Sequence, residues 1–373
     1  MKNLVIAAGA VALAAGSAQA GGVERTSQSI GLIFEQGNYA ELSFGSVKPK
    51  VNGTGAGTVV NPAQPTPGLP TGDMAGDYTQ LSLGVKTAVN DKLDFGVIID
   101  SPFGADVNYP VTGYFASGST AELNANAVTG VLRYKVNENF SVIGGLRYQT
   151  LEATARVPFV AGYRVTGEKD GGLGYVVGVA YERPDIAMRI ALTYNSKIKH
   201  KIETTEFIGL AGPLSSVTTV ETPQSLNLEA QSGIAKDTLL FGSIRWVDWS
   251  AFKIAPAQYV GATGNPLVSY ENDTITYTLG VGRRFNENWS AAISVNYEKA
   301  AGGFASNLGP TDGRLGVTIG GTYNRDNLKI TGGVSYVDIG DADTTLAAAT
   351  GLAAGNFRGN KAIGVGVKVG FSF

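Results

Sequence analysis

The chain has 373 residues, no cysteine, a single histidine and a formal net charge of −2. These values exclude a disulfide-stapled domain and a broad basic surface for nucleic acid. Glycine is abundant (51), as are Tyr (16) and Phe (15), with no helical periodicity and no run of about 18 apolar residues to mark a membrane helix. An outer-membrane β-barrel fits this profile, and a soluble β-sandwich or propeller competes with it.

Residues 1–20 read as a secretory signal peptide: Lys2 is the basic start, Leu4 to Ala15 the apolar run, and Ala18-Gln19-Ala20 the small-residue cleavage site. Residues 21–37 form a short segment ahead of the first strand, and 38–373 read as an all-β barrel. Strands follow in apolar/small alternation. Phe140-Val142-Gly144-Leu146-Tyr148 is the first clear run, followed by Ile186-Met188-Ile190-Leu192-Tyr194, Trp289-Ala291-Ile293-Val295-Tyr297 and Leu328-Ile330-Gly332-Val334-Tyr336. Each of these four places Tyr eight residues after its start. That is roughly 26 Å of strand, or about 20 Å of height at a 40° tilt, so Tyr falls where an aromatic girdle belongs.

Connections alternate in length. Tight turns are expected at Asn90-Asp91, Asn137-Glu138-Asn139, Pro184-Asp185, Lys236-Asp237, Asn286-Glu287-Asn288 and Arg325-Asp326-Asn327. Between them lie longer segments near 48–76, 109–119, 157–170, 204–221, 254–271, 301–312 and 340–359. The count is about fourteen strands, an even number, with no blade period of a propeller. The last strand puts Ile363, Val365, Val367, Val369, Phe371 and Phe373 on one face and Ala362, Gly364, Gly366, Lys368, Gly370 and Ser372 on the other. The apolar face belongs to lipid and the small face to a polar lumen. Inward positions read as mostly Gly, Ser, Thr and Ala, without the facing charged rows of a general porin. The terminal Phe373 resembles the signal read by the barrel-assembly machinery.

"GNYAELSFGSVKPKVNG" (37–53), "RYKVNENFSVIGGLRYQTLEA" (133–153), "RIALTYNSKIKHKIE" (189–203) and "TPQSLNLEAQSGIAKDTLLFGSIRWVDWSAF" (222–252) resemble the FadL/TodX family of outer-membrane transporters, most specifically in "LTYNS" and "WVDWSAF". The resemblance implies a 14-stranded barrel with an N-terminal plug. It implies passive carriage of long-chain fatty acids or aromatic hydrocarbons, and lateral exit where the third strand is kinked. Residues 21–37 are shorter than the family plug and lack its Asn-Pro-Ala motif. Asn61-Pro62-Ala63 has those letters but falls in the first outer loop, so no role is transferred to it. The expected cell location is the outer membrane of a Gram-negative bacterium. The expected partners are hydrophobic small molecules, lipopolysaccharide and outer-membrane lipid, with no cofactor and a monomeric barrel.

Pro102, Phe103 and Gly104 interrupt the third strand, where proline removes a ladder donor. They are the expected lateral opening; the competing reading is a strand that ends at the interface. Lys197, Lys199 and Lys201 continue the inward parity of Arg189 and Thr193, and with Arg156 they are expected to hold a carboxylate at the outer mouth. The competing reading is a solvated hairpin, or contact with lipopolysaccharide phosphates. Phe159, Val160, Phe207, Ile208, Leu210, Leu214 and Phe357 make the outer loops apolar, as a capture groove or as loops that cap the barrel. Asp338, Asp341 and Asp343 lack the spacing of a calcium loop and are read as a solvated turn, so no metal is expected. His200 has outward parity and no marked Ser or orienting acid, so an enzyme is not expected. Trp246 and Trp249 break alternation, and Asp248 is expected to bond Arg or Lys inside the barrel.

Overall fold

Strict alternation gives every strand one lipid-compatible face, and a sheet with such a face has to close so that no edge is left in the bilayer. The computed structural model describes residues 22–56, 67–346 and 352–373; the expected signal peptide and Asn61-Pro62-Ala63 lie outside them. The described chain is an antiparallel barrel of fourteen strands. These are β1 (Tyr39–Lys50), β2 (Tyr78–Asn90), β3 (Leu93–Asp100 and Gly104–Asn108), β4 (Thr120–Lys135), β5 (Phe140–Val157), β6 (Tyr163–Arg183), β7 (Met188–Asn195 and Ile198–Ile208) and β8 (Ala211–Thr222 and Ser225–Ala235). They continue as β9 (Thr238–Val247), β10 (Thr274–Arg284), β11 (Trp289–Glu298), β12 (Arg314–Arg325), β13 (Leu328–Ile339) and β14 (Asn360–Ser372). β1 pairs with β14 from Tyr39↔Ser372 to Lys50↔Lys361 and closes the ring.

The outward face is apolar where expected: Leu146, Val177, Leu279, Ile319 and Val367 are exposed, Leu146 at 69%. Two aromatic rows bound this band. At the turn end Phe140 lies 4.9 Å from Tyr181 and Trp289 4.9 Å from Tyr323. At the loop end Tyr175 lies 5.9 Å from Tyr194, and Tyr277 faces Tyr297 across β10 and β11. The expected Tyr level is therefore present. Beyond it β5 to β8 continue upward with polar outward residues such as Glu152, Thr154 and Lys199.

The lumen differs from expectation. Its turn-end half is charged, with Asp94 held by Lys86 at 2.9 Å and Lys135 at 3.1 Å, and Glu41 facing Lys368 at 3.3 Å. The N-terminal segment, residues 22–38, fills this half. Its 3-10 turn, Gly31–Phe34, drives Ile30 and Ile33 against Val131, Ile143, Val176 and Ala191. Phe34 lies between the guanidinium groups of Arg189 (4.5 Å) and Arg133 (4.8 Å). Arg245 Nε donates to Glu24 at 3.0 Å, Ser29 Oγ donates to Glu229 at 2.8 Å, and Glu35 meets Lys329 at 3.1 Å. Inward charges thus find partners on a segment from outside the sheet. Summing small and polar residues along each strand hides those pairings.

Two outcomes follow from this architecture. Val177→Arg puts a charge on the lipid face near mid-band and lowers bilayer folding stability by about 2–4 kcal/mol, whereas Thr154→Arg, above the band, changes it little. Folding titrations in lipid vesicles read the difference, and equal costs would contradict the placement of the band. In planar bilayers the intact protein shows no steady ion conductance, and deletion of residues 23–36 produces it. Steady conductance of the intact protein would contradict a filled lumen.

Candidate functional site: two cavities beside a broken strand

The interruption at Ser101-Pro102-Phe103 is where the sequence places it. Below it, β3 pairs with β2 from Leu93 to Ile99. Above it, Gly104–Asn108 pairs with β4, and towards β2, among the described residues, it makes the bridge Ala75↔Val107, with Gly76 N donating to Asp106 O and Asn108 N to Met74 O, both at 2.9 Å. Among the described residues no ladder pair joins Tyr78–Ser82 of β2 to 101–105 of β3. The ladder is interrupted there, at the upper edge of the apolar band. Phe95 and Ile99 face outward below the break; Asp106 and Asn108 face outward above it.

Backbone groups freed by the break are taken up by the N-terminal segment. Arg25 N donates to Pro102 O at 2.8 Å, Gly104 N donates to Val23 O at 2.8 Å, and Glu24 forms a bridge with Phe103. Thr26 Oγ1 donates to Asp100 at 2.8 Å. An unpaired backbone group at this depth is costly, so the segment and the kink stabilise each other.

Two cavities flank this bridge. The first is apolar and lies in the upper lumen, with a volume of about 60 Å³. Leu123, Ala153, Val165, Ile202 and Val220 form its walls, and Val23 and Ala105 lie on the side of the bridge. Its lid is the long β9–β10 connection, which contributes Ile254, Leu267, Val268 and Tyr270. That connection folds inward. Trp249 and Phe252 are buried, with Trp249 at 5.9 Å from Phe103 and 5.2 Å from Tyr270. Gly22, at φ +150°, has no room for a side chain because the Trp249 ring occupies the Cβ position.

Glu206 anchors the same connection. Its buried carboxylate accepts from Tyr163 Oη at 2.9 Å and from the backbone of Gln258 (3.0 Å) and Tyr259 (3.2 Å), at the start of α1 (Ala257–Thr263). Burial, reinforced by this carboxylate, pushes the Tyr163 phenol well above its usual range. The second cavity, about 270 Å³, sits in the wall gap and is lined mainly by polar groups, among them Arg25, Gln80, Ser101, Asp106 and Asn126.

Several expected positions are corrected. Lys197, Lys199 and Lys201 lie outside the barrel, with Lys197 paired to Glu221 at 2.8 Å. β7 breaks at Ser196-Lys197 and resumes with inverted parity. Thr193 and Asn195 are buried below the break, and Ile198, His200 and Ile202 above it. His200, expected outside, is therefore inside, 3.2 Å from Gln149 and 3.5 Å from the Asp170 carboxylate. β8 inverts in the same way at Pro223. Arg156 alternates with buried Ala155 and Val157 and also faces outward.

The apolar loop residues divide. Phe159, Val160 and Ile208 pack beside Tyr163 and Leu267, Phe207 lies under Arg164 at 5.1 Å, and Phe357 is buried in a separate loop cluster. Leu210 is fully exposed, and none of Phe159, Val160, Phe207, Ile208 and Leu210 lines the lumen cavity. Asp248 bonds Gln224 and Ser250, not Arg or Lys. Asp341 and Asp343 are spanned by Arg358. The inward loop and Arg25 were missed. Pro102 and Pro223, each inside a strand, are sequence signals that mark an inversion, and β7 carries none at Ser196-Lys197.

The family model described as outer membrane protein transport protein (OMPP1/FadL/TodX) matches residues 34–373. A Pseudomonas aeruginosa FadL homologue is similar in structure with a TM-score of 0.73 at 16% identity, covering 97% of this chain and 98% of that one. The Pseudomonas putida toluene transporter TodX gives a TM-score of 0.62 at 13% identity over 91% of both chains. The Ralstonia pickettii toluene transporter TbuX gives 0.63 at 14% identity over 92% of this chain and 91% of that one. No curated protein sequence matches the chain. With fourteen strands closed around a filled lumen and a family match across all of them, the chain belongs to the OMPP1/FadL/TodX family, as an outer-membrane channel for hydrophobic compounds of a Gram-negative bacterium and not an enzyme.

Proposed function

We propose that the channel takes up long-chain fatty acids by passive diffusion and releases them sideways through the gap at 101–104. The observation that carries this reading is the shared boundary of the two cavities. The apolar lumen cavity ends on Val23 and Ala105, and the wall cavity begins on Arg25, Phe103 and Gly104. An apolar solute entering from the loops reaches the break in β3 without crossing the charged lower lumen. From there the bilayer is the nearest apolar phase. The bridge between residues 23–25 and 102–104 separates the cavities, so passage requires it to part.

The loop residues Phe159, Val160, Phe207, Ile208 and Leu210 serve as the entry surface in this reading. Arg156, Lys197, Lys199 and Lys201 face outward above the aromatic row, at the level of lipopolysaccharide phosphates. A second reading, an aromatic-hydrocarbon channel, is favoured by cavity size. About 60 Å³ is well below the roughly 150 Å³ of an engineered cavity that holds benzene, so a compact solute needs the smaller rearrangement.

Uptake of labelled oleate and labelled toluene, by cells lacking their own fatty-acid channel, tests both readings. Oleate uptake by the parent protein, abolished by Ser101→Trp at equal surface level, is the expected result. Toluene uptake alone selects the second reading. Equal oleate uptake by parent and variant would remove the exit at this position.

A further inference from the structure

We propose that Arg25 is a head-group site in the wall opening, where its guanidinium binds the carboxylate of a single-chain amphiphile passing from lumen to bilayer. This rests on the lateral-exit reading and adds the class of solute that the opening selects. Arg25 is 7% exposed. Its Nε donates to Gly104 O at 3.0 Å, and the Tyr78 ring covers the guanidinium at 3.3 Å from its centroid. Nη1 is buried and has no hydrogen-bond partner. A buried cation with an unmatched donor is destabilising unless an anion or dipole completes it.

The nearby acids are otherwise placed. Glu24 is taken by Arg245, and Asp77 lies 3.8 Å from Lys48. Asp106 lines the same cavity from its outward rim, beyond ion-pair distance of Arg25, and together with the Tyr78 phenol it is a group of the protein that favours the cation there. A neutral hydrocarbon gains nothing from this lining of Gln80, Ser101 and Asn126, whereas a carboxylate finds a guanidinium there. At about 270 Å³ the cavity admits a carboxylate and its first few carbons, not the phosphorylated disaccharide head of an outer-leaflet lipid. The tail remains on the apolar side, past Phe103 and Val23.

The test uses the intact purified protein in neutral detergent, with cis-parinaric acid and its methyl ester as fluorescent probes. Heat-modifiable gel migration confirms a folded barrel for each variant. The parent binds the acid roughly tenfold more tightly than the ester, as expected for one charge-assisted bond. Arg25→Gln brings acid affinity down to that of the ester; Arg25→Lys keeps part of the preference. Asp106→Asn, which removes the facing carboxylate, tightens acid binding. In the parent itself, acid binding weakens as the probe's carboxylate is protonated, while ester binding does not. Equal binding of acid and ester by the parent, or an acid preference retained by Arg25→Gln, would overturn the site and leave the channel reading intact. Displacement of the acid by lipid A would assign the site to membrane lipid and also overturn the proposal. Failure of the parent to bind either probe would overturn the channel reading together with the site.

Discussion

A strand that crosses a bilayer has to satisfy every backbone donor and acceptor inside the protein. In this barrel β3 fails that condition on its own, because Pro102 lacks a donor and the chain leaves the ladder for three residues. The N-terminal segment meets it instead, through Val23, Arg25 and Thr26. Much else depends on this exchange. It fixes the segment's height in the lumen, and therefore which inward charges it neutralises. It separates the apolar cavity from the wall cavity. It also makes this point of the wall a contact between the N-terminal segment and the broken strand, where elsewhere two strands pair.

Below the breaks the lumen is polar and charged, with Thr193, Asn195, Ser225 and Asn227 inward. Above them Ile202 and Val220 face inward and Lys199 outward. Inverting the parity of β3, β7 and β8 lets one closed sheet carry a polar plugged base and an apolar upper chamber. The Trp249 loop then closes the chamber against the same bridge, with Trp249 5.9 Å from Phe103.

Much of the fold was legible because period-two alternation and turn chemistry are local. Fourteen strands, the Tyr level from Tyr148 to Tyr336, the tight turns and the interruption at Pro102 all came from residues within one strand of each other. The lateral break was readable because proline cannot donate, whatever surrounds it. Lys197, Lys199, Lys201 and His200 were assigned to the wrong faces because parity was carried across Ser196-Lys197, and inversion of a strand leaves no local mark there. Arg156 lies outside because it alternates with Ala155 and Val157. The loop cluster of Phe159 with Leu267, and Trp249 against Gly22, are contacts between distant segments that alternation does not encode. Arg25 was passed over because its meaning depends on Tyr78 and Gly104.

In the lateral-exit reading, the bridge between the N-terminal segment and the broken strand has to part for solute to leave. Glu24 and Phe103 face each other in an antiparallel bridge, where Cα atoms are about 4.5–5.5 Å apart, within disulfide range. The chain has no cysteine of its own, so the pair Glu24→Cys and Phe103→Cys can be locked and unlocked without competition. The measurement is uptake of labelled oleate or toluene by cells carrying this pair, under oxidising conditions and after a mild reductant. Uptake is expected only after reduction, with each single variant active throughout. Uptake by the oxidised pair equal to that of the reduced pair would contradict it.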